Sequence, residues 1–337
     1  MIKVAGWGTG MMGQGLLGYV LDRPSDIDLV GVVVTNPAKE GVSVGELLGR
    51  VCNVRMTTDF DAVLAKRPDV VCINTQSNLD EITEQVEPAV KAGANVICIA
   101  EKLAYPWASD PEWARRFDRL AKKHSVSILG TGINPGFVLD ALIVMFTSVC
   151  LRVDRIEASR VNDLSPFGPT VMKGQGVGTT FDEFQKGVAD GSIVGHIGFP
   201  ESICLIARAL NWKIARIVET REPIITSVER STPHVHVPVG NVCGCRHVGR
   251  GYDESGELKI ELIHPQQILP GLEGQDTGDY IKVFGDPGIN MALTPEIPGG
   301  KGTYASTGNY IPLIGSAPAG IVTVVDMPLP RFWTPTI

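Results

Sequence analysis

Residues 2–13 read IKVAGWGTGMMG, an apolar run from Ile2 to Trp7 that breaks into Gly8-Thr9-Gly10-Met11-Met12-Gly13. A buried strand ending in a tight turn needs a residue without Cβ at Gly8. A backbone that approaches a pyrophosphate needs Gly10, and a helix packing closely on the strand needs Gly13. The N–H groups opening that helix, around Met11 and Met12, can donate to phosphate oxygens, and the helix dipole favours negative charge there. The flanking sequence fits: Leu16, Leu17, Val20 and Leu21 have helical spacing, and a second β-branched run arrives at 29–34. The stretch predicts a bound dinucleotide, with Gly8, Thr9, Gly10, Met11, Met12 and Gly13 around its phosphates.

The end of the second strand bears on which dinucleotide. NAD-binding folds usually place Asp or Glu there to accept bonds from the ribose hydroxyls. This chain has Val34-Thr35-Asn36-Pro37-Ala38-Lys39 instead. A carboxylate would repel a 2′-phosphate, whereas Thr35, Asn36 and Lys39 can bind one, so NADP is expected and NAD use stays open. Lys39 also reads as an ordinary solvated loop lysine. Thr75, after the next strand, is counted with the cofactor contacts.

A chain of 337 residues with 44% hydrophobic and 20% charged residues has material for two cores. The net charge of −7, without a Lys or Arg block, argues against nucleic acid and anionic membrane surfaces as partners. The amino terminus reads as the first strand rather than a signal peptide, and no apolar stretch approaches membrane-spanning length. The seven cysteines are scattered, mostly in apolar strand-like runs, and read as reduced core residues of a cytoplasmic protein.

Strand and helix signals alternate to about residue 130: strands at 69–74, 95–100 and 125–129, helices at 80–92 and 111–124. Such alternation predicts an α/β, Rossmann-type doubly wound parallel sheet with right-handed crossovers. After Gly130-Thr-Gly-Ile-Asn-Pro-Gly136 a helix is expected at 137–149, opened by the proline. From 152 to about 282 the pattern reads as strands and turns (155–161, 224–228, 235–248, 258–263), an open, largely antiparallel sheet in a second α+β domain. The tail, 308–337, reads as helix-like. The expected division is a dinucleotide-binding domain at 1–135, on which the tail packs back, and a substrate-binding and dimerisation domain at 136–307.

Ligands in such sheets bind at the carboxyl ends of the strands. Glu101 stands there, a lone carboxylate after an apolar strand. It can pair with an ammonium ion or act as a base when an amine attacks a carbonyl; pairing with Lys102 or capping a helix explains it equally. His234, His236, Cys243, Cys245 and His247 hold the atoms for zinc, but structural zinc usually uses a turn spacing such as Cys-x-x-Cys. An ordinary strand pair accounts for them, and no metal is expected.

Four separated stretches, GWGTGMMG (6–13), ICIAEKLAYPW (97–107), GTGINPGFVLDAL (130–142) and FGPTVMKGQGVG (167–178), together resemble the 2,4-diaminopentanoate dehydrogenase and native amine dehydrogenase family, relatives of dihydrodipicolinate reductase. The resemblance covers the whole chain. It implies an NAD(P)-dependent amine dehydrogenase that reductively aminates a small ketone or aldehyde with ammonia, and deaminates the amine in reverse. It places the catalytic glutamate at Glu101 and draws the substrate pocket from Ile133, Asn134, Phe137, Val138, Asn162, Pro166, Phe167, Thr170, Met172, His196 and Ile197. Asn134 alone also reads as a helix cap, and His196 as a hydrogen-bonded structural residue. These lining segments are poor in charge apart from Arg160, Asp163 and Lys173, whose directions the sequence leaves open, a strand arginine being able to face solvent; this leans toward an uncharged carbonyl substrate, with 2,4-diaminopentanoate kept open. A homodimer is expected. Two further readings stay open: another C=N or C=O reductase such as an amino-acid dehydrogenase, and a non-catalytic NADP-binding sensor.

Overall fold

A computed structural model describes residues 1–336. The chain divides into two compact units: Met1–Phe137 together with the chain from Gly299 onward, and Val138–Pro298.

The first unit opens β1 (Ile2–Trp7), α1 (Met11–Leu21), β2 (Ile27–Val33), α2 (Val44–Leu48), β3 (Met56–Thr57), α3 (Phe60–Leu64), β4 (Val70–Ile73), α4 (Leu79–Lys91), β5 (Asn95–Cys98), α5 (Pro111–His124) and β6 (Ser127–Gly130). The helices start where the sequence supplies caps. Asp110 accepts from the N–H groups of Glu112 and Trp113 at 3.0 and 2.9 Å, Pro111 needs no partner at the first position, and Lys122, Lys123 and His124 complement the dipole at the end of α5. Trp113 and Phe117, one turn apart, stack at 4.0 Å and join Ile82 and Val86 of α4 in the core over β4 and β5.

The second unit contains α6 (Ala141–Thr147), β7 (Arg152–Asp163), α7 (Pro169–Gly174), α8 (Phe181–Asp190), α9 (Phe199–Ala209), β8 (Arg216–Ile225), β9 (Arg230–Ser231), β10 (His236–Val237), β11 (Val242–Tyr252), β12 (Leu258–Gln267), β13 (Gly278–Asp286) and β14 (Ile289–Leu293). Its main sheet has the order β14-β13-β7-β12-β11-β8, antiparallel except for the β7–β12 pair. α9 lies against one face, and Gly249 and Gly251 of β11 make room: a Cβ there would come within 2.9 Å of Phe199 and 2.8 Å of Ile203.

The first unit then resumes with α10 (Gly299–Ile314) and β15 (Gly320–Val322), which completes a parallel sheet of order β15-β6-β5-β4-β1-β2-β3. α10 packs on α1 through glycines. A Cβ at Gly15 would meet the Tyr304 ring, and one at Gly308 the Tyr19 ring.

Four elements differ from the sequence expectation. Three helices, α7 to α9, interrupt the region read as strands and turns. α8 carries a local signal for itself, Thr180-Phe-Asp-Glu183, in which each end residue caps the other's N–H. The run at 235–248 is broken by the turn at Gly240, whose φ of +87° no strand residue adopts. Pro135 does not open a helix, because Gly136 at φ +128° turns the chain out of the helical region, and α6 starts instead at Ala141, capped by Asp140 at 2.6 Å. The tail is helical only up to Ile314; α10 begins at Gly299, earlier than 308, and the chain then returns to the sheet edge as β15.

Candidate active site

Strand order in the parallel sheet reverses between β1 and β4, and the loops leaving these two strands meet at the glycine run. Gly8 donates its N–H to Val33 at 3.0 Å, and Asn74 donates to Trp7 at 2.8 Å. Gly8 sits at φ +99°, where a Cβ would lie 2.5 Å from the Asn74 carbonyl oxygen; at Gly13 it would lie 2.1 Å from that of Gly8. Gly10 differs. It is the N-cap of α1, no side chain caps the helix, and a Cβ there would have nothing within 4 Å. The N–H groups around Met11 and Met12 thus lie next to open space at Gly10, which fits a pyrophosphate.

Lys39 is not a freely solvated cation. Its Nζ donates to Thr9 Oγ1 at 2.9 Å and reaches the Thr9 carbonyl at 3.3 Å, bringing positive charge to the phosphate loop. Asn36 Oδ1 accepts from Ala38 N–H at 3.0 Å, and Thr35 is exposed beside it. Thr75 gives its hydroxyl to Gln85 of α4 at 2.6 Å. The sequence reading missed Asn74, whose Oδ1 is buried without a partner.

Glu101 follows β5 on the same carboxyl edge of the sheet and begins a single 3-10 turn, Glu101–Ala104. Burial pushes its carboxyl above the ordinary carboxylate range, opposed by hydrogen bonds from the Ser77 hydroxyl and from its own backbone N–H. Ser77 is held in place by the Lys102 N–H, which donates to its carbonyl at 3.3 Å. Lys102 itself forms no ion pair with Glu101 among the described residues. Beyond β6, Ile133 N–H donates to Thr303 Oγ1 of α10 at 3.3 Å, and both polar atoms of the Asn134 amide are buried without partners. Phe137 is half-buried.

The expected substrate residues of the second unit fall into three groups. Asn162 and His196 are buried, with Oδ1 and Nε2 respectively lacking partners. Burial, reinforced by His247 and Arg160, pushes the His196 ring down to about 3, so it is neutral. His247, which the sequence offered only for zinc, accepts the His196 backbone N–H at Nδ1 (3.0 Å); its Nε2 lies 2.9 Å from Glu219 but off the hydrogen-bond line. Phe167 and Ile197 are half-buried, Phe167 against Leu164, Met172 and Ile268. Val138 and Met172 are core residues at 0% and 2% exposure, and Pro166 and Thr170 are exposed. Arg160 does not face solvent: it pairs with Asp279, its cross-strand neighbour on β13, at 2.5 Å, both fully buried. That partner lies 119 residues on and could not be read from the chain.

An open pyrophosphate cradle at the reversal of a parallel sheet, with a half-buried carboxylate on the same edge, defines a nicotinamide-dependent dehydrogenase. Residues 2–131 match the oxidoreductase family with an NAD-binding Rossmann fold, and residues 137–337 match the 2,4-diaminopentanoate dehydrogenase C-terminal domain. The chain is 43% identical to the 2,4-diaminopentanoate dehydrogenase of Acetoanaerobium sticklandii, covering 98% of this chain and 94% of that one. It is 27% identical to an amine dehydrogenase of Streptomyces virginiae over 98% and 97% of the two chains. The solved amine dehydrogenase of Mycobacterium smegmatis superposes with a TM-score of 0.87 at 25% identity, over 98% and 97%. The chain belongs to the 2,4-diaminopentanoate dehydrogenase family and is an NAD(P)-dependent amine dehydrogenase.

Proposed function

We propose that Glu101 is the catalytic residue of reversible amine deamination and that the substrate is a small amino compound of the 2,4-diaminopentanoate type. The single observation that carries the first part is the half-buried carboxylate of Glu101, which follows β5 on the sheet edge that also holds the glycine cradle. Ionised, it pairs with ammonium; with its proton affinity raised by burial, it also takes a proton from ammonia attacking the carbonyl and returns it as water leaves the carbinolamine. Bound nicotinamide supplies the hydride exchange at the iminium carbon. Asn134, with two unpartnered amide atoms, can hold the carboxamide or the reacting carbonyl. The identity to the Acetoanaerobium sticklandii enzyme supports the diamino acid as substrate over an uncharged carbonyl compound.

We assign NADP as the preferred cofactor. Asn36 uses its oxygen on Ala38, leaving its amide N–H groups for a 2′-phosphate, and Lys39 lies against the same loop. The second unit is read as the dimerising one. The sheet face opposite α9 carries a cross-strand row of Tyr280, Ser159, Ile263, Val248 and Thr220, of which Val248 is buried and the other four are half-buried, so a second copy can cover the half-buried positions. Light scattering tests this, and a monomer at micromolar concentration excludes it. Among the described residues no helix is long and apolar enough to cross a membrane. Cys72 and Cys98, pushed up to about 12 by burial, are unreactive thiols, in keeping with the cytoplasm. The deciding assay for the activity is NADPH oxidation with a carbonyl compound: turnover that needs both carbonyl and ammonium supports amine dehydrogenation, turnover with the carbonyl alone makes it a carbonyl reductase, and binding without turnover makes it a sensor.

A further inference from the structure

In the first unit Asn134 buries both ends of its amide unpaired, the acceptor Oδ1 and the donor Nδ2. Buried polar atoms without partners cost free energy that a native fold seldom leaves standing, so two orphans on one side chain mark a ligand that completes them.

The two atoms define the chemistry of that ligand. A primary amide presents a donor and an acceptor side by side, and it matches a group that offers the same two in the opposite order. A ketone, an aldehyde or a carboxylate only accepts and would leave Oδ1 bare, whereas an ammonium ion only donates and would leave Nδ2 bare. A dinucleotide brings two groups that do both, the adenine edge and the nicotinamide carboxamide.

Strand order separates these two. Asn36 and Lys39 follow β2, so the adenosine half lies on the β2 side of the glycine cradle and the nicotinamide half runs the other way, over β4, β5 and β6. Asn134 lies four residues beyond β6, which is three strands from β1. At about 4.8 Å per strand that is roughly 14 Å from the cradle, on the nicotinamide side.

The loop that carries Asn134 is held by α10. Ile133 donates its N–H to Thr303 Oγ1 at 3.3 Å, and Thr131 Oγ1 lies 3.0 Å from Ser306 Oγ, one turn further along the same helix face. At the base of the loop Thr131 donates its N–H to the Cys98 carbonyl of β5 at 3.0 Å. Gly136 folds back so closely that a Cβ there would lie 2.3 Å from Gly132 N. The hydroxyls of α10 thus fix the backbone next to Asn134 and leave its amide unbonded.

We propose that the Asn134 amide pairs edge to edge with the nicotinamide carboxamide and that Thr303 is the positioning residue that holds it for this contact. The proposal rests on the NADP-dependent amine dehydrogenase reading above and chooses the carboxamide over the reacting carbonyl as the partner of Asn134.

The test is calorimetric titration of the full chain with three ligands: NADP, its 3-acetylpyridine analogue, in which a methyl group replaces the carboxamide NH2, and adenosine 2′,5′-bisphosphate, which has no nicotinamide half. NADP should bind on the order of 10–100-fold more tightly than the analogue, which leaves Asn134 Oδ1 bare. Asn134→Leu should abolish that ratio. Thr303→Val, which removes the acceptor for the Ile133 N–H, should lower it several-fold, and Thr303→Ser should restore it. Adenosine 2′,5′-bisphosphate should bind alike in every variant; a variant that weakens it as much as NADP acts through the fold and overturns the role given to that residue. Equal affinities for NADP and the analogue in the wild type, or a ratio kept in Asn134→Leu, overturns the proposal, and a ratio kept in Thr303→Val overturns the positioning role. If Asn134→Leu melts early, the wild-type ratio and the two Thr303 variants decide. Amine-dependent turnover without a cofactor ratio faults this proposal alone, and a ratio without such turnover faults the enzymatic reading alone.

Discussion

Replacing Glu101 by glutamine removes a charge and a proton acceptor while keeping the shape of the side chain. If the carboxylate moves protons during amination, turnover should fall by about 10²–10⁴-fold, equivalent to about 3–5 kcal/mol of transition-state stabilisation. NADPH affinity should stay within about twofold, because the phosphates are held at the β1–α1 loop. Stability should move the other way. Burial raises the Glu101 carboxyl in the folded chain, so the folded state binds this proton more readily than the unfolded chain does. The stability this group contributes is fully present below its unfolded pKa and is lost as pH rises through the raised folded value. Glutamine has no such loss, so the melting temperature of Glu101→Gln should exceed that of the wild type near pH 8, and the advantage should shrink towards pH 4. Steady-state amination rates, NADPH fluorescence titration and melting curves at both pH values complete the test. A variant with more than about a third of wild-type turnover refutes the catalytic role. A lower melting temperature at pH 8 refutes the account of the raised carboxyl.

Three further outcomes follow from the geometry. Asn36→Asp should weaken NADPH by about tenfold through repulsion of the 2′-phosphate and leave NADH nearly unchanged; equal shifts for both cofactors in titration would remove the NADP argument. Gly10→Ala, at φ −72° with open space around its Cβ, should melt like the wild type yet bind either cofactor at least about tenfold more weakly, whereas Gly13→Ala forces backbone apart and should cost about 1–3 kcal/mol in urea unfolding. Similar melting and similar cofactor affinity for the two variants would contradict the cradle. Arg160→Met, which strands Asp279 in the interior, should destabilise by about 3–5 kcal/mol, with much of that recovered on adding Asp279→Leu; a loss under about 1 kcal/mol in denaturant melts would mean that the pair is solvated.

The sequence by itself determined the dinucleotide unit, because everything it needs is local. Strand, glycine turn and helix are contiguous, Asp110-Pro111 caps α5 from within, and Glu101 is marked by the apolar strand before it. Local signals were also present for α8 in Thr180-Phe-Asp-Glu183, but they were outweighed by the strand-like runs around them. What only the tertiary structure decided depends on register between distant strands. Arg160 looks like a solvent-facing strand arginine until β13 brings Asp279 opposite it. His247 looks like half a metal site until its Nδ1 meets the His196 backbone, and Met172 looks like pocket lining until Leu164 and Ile268 close over it. The setting of Asn134 is of this kind too. The chain next to it reads as a helix start, but the hydroxyl that holds its loop, Thr303 Oγ1, lies 170 residues beyond Ile133 and reaches it only because α10 returns to the first sheet.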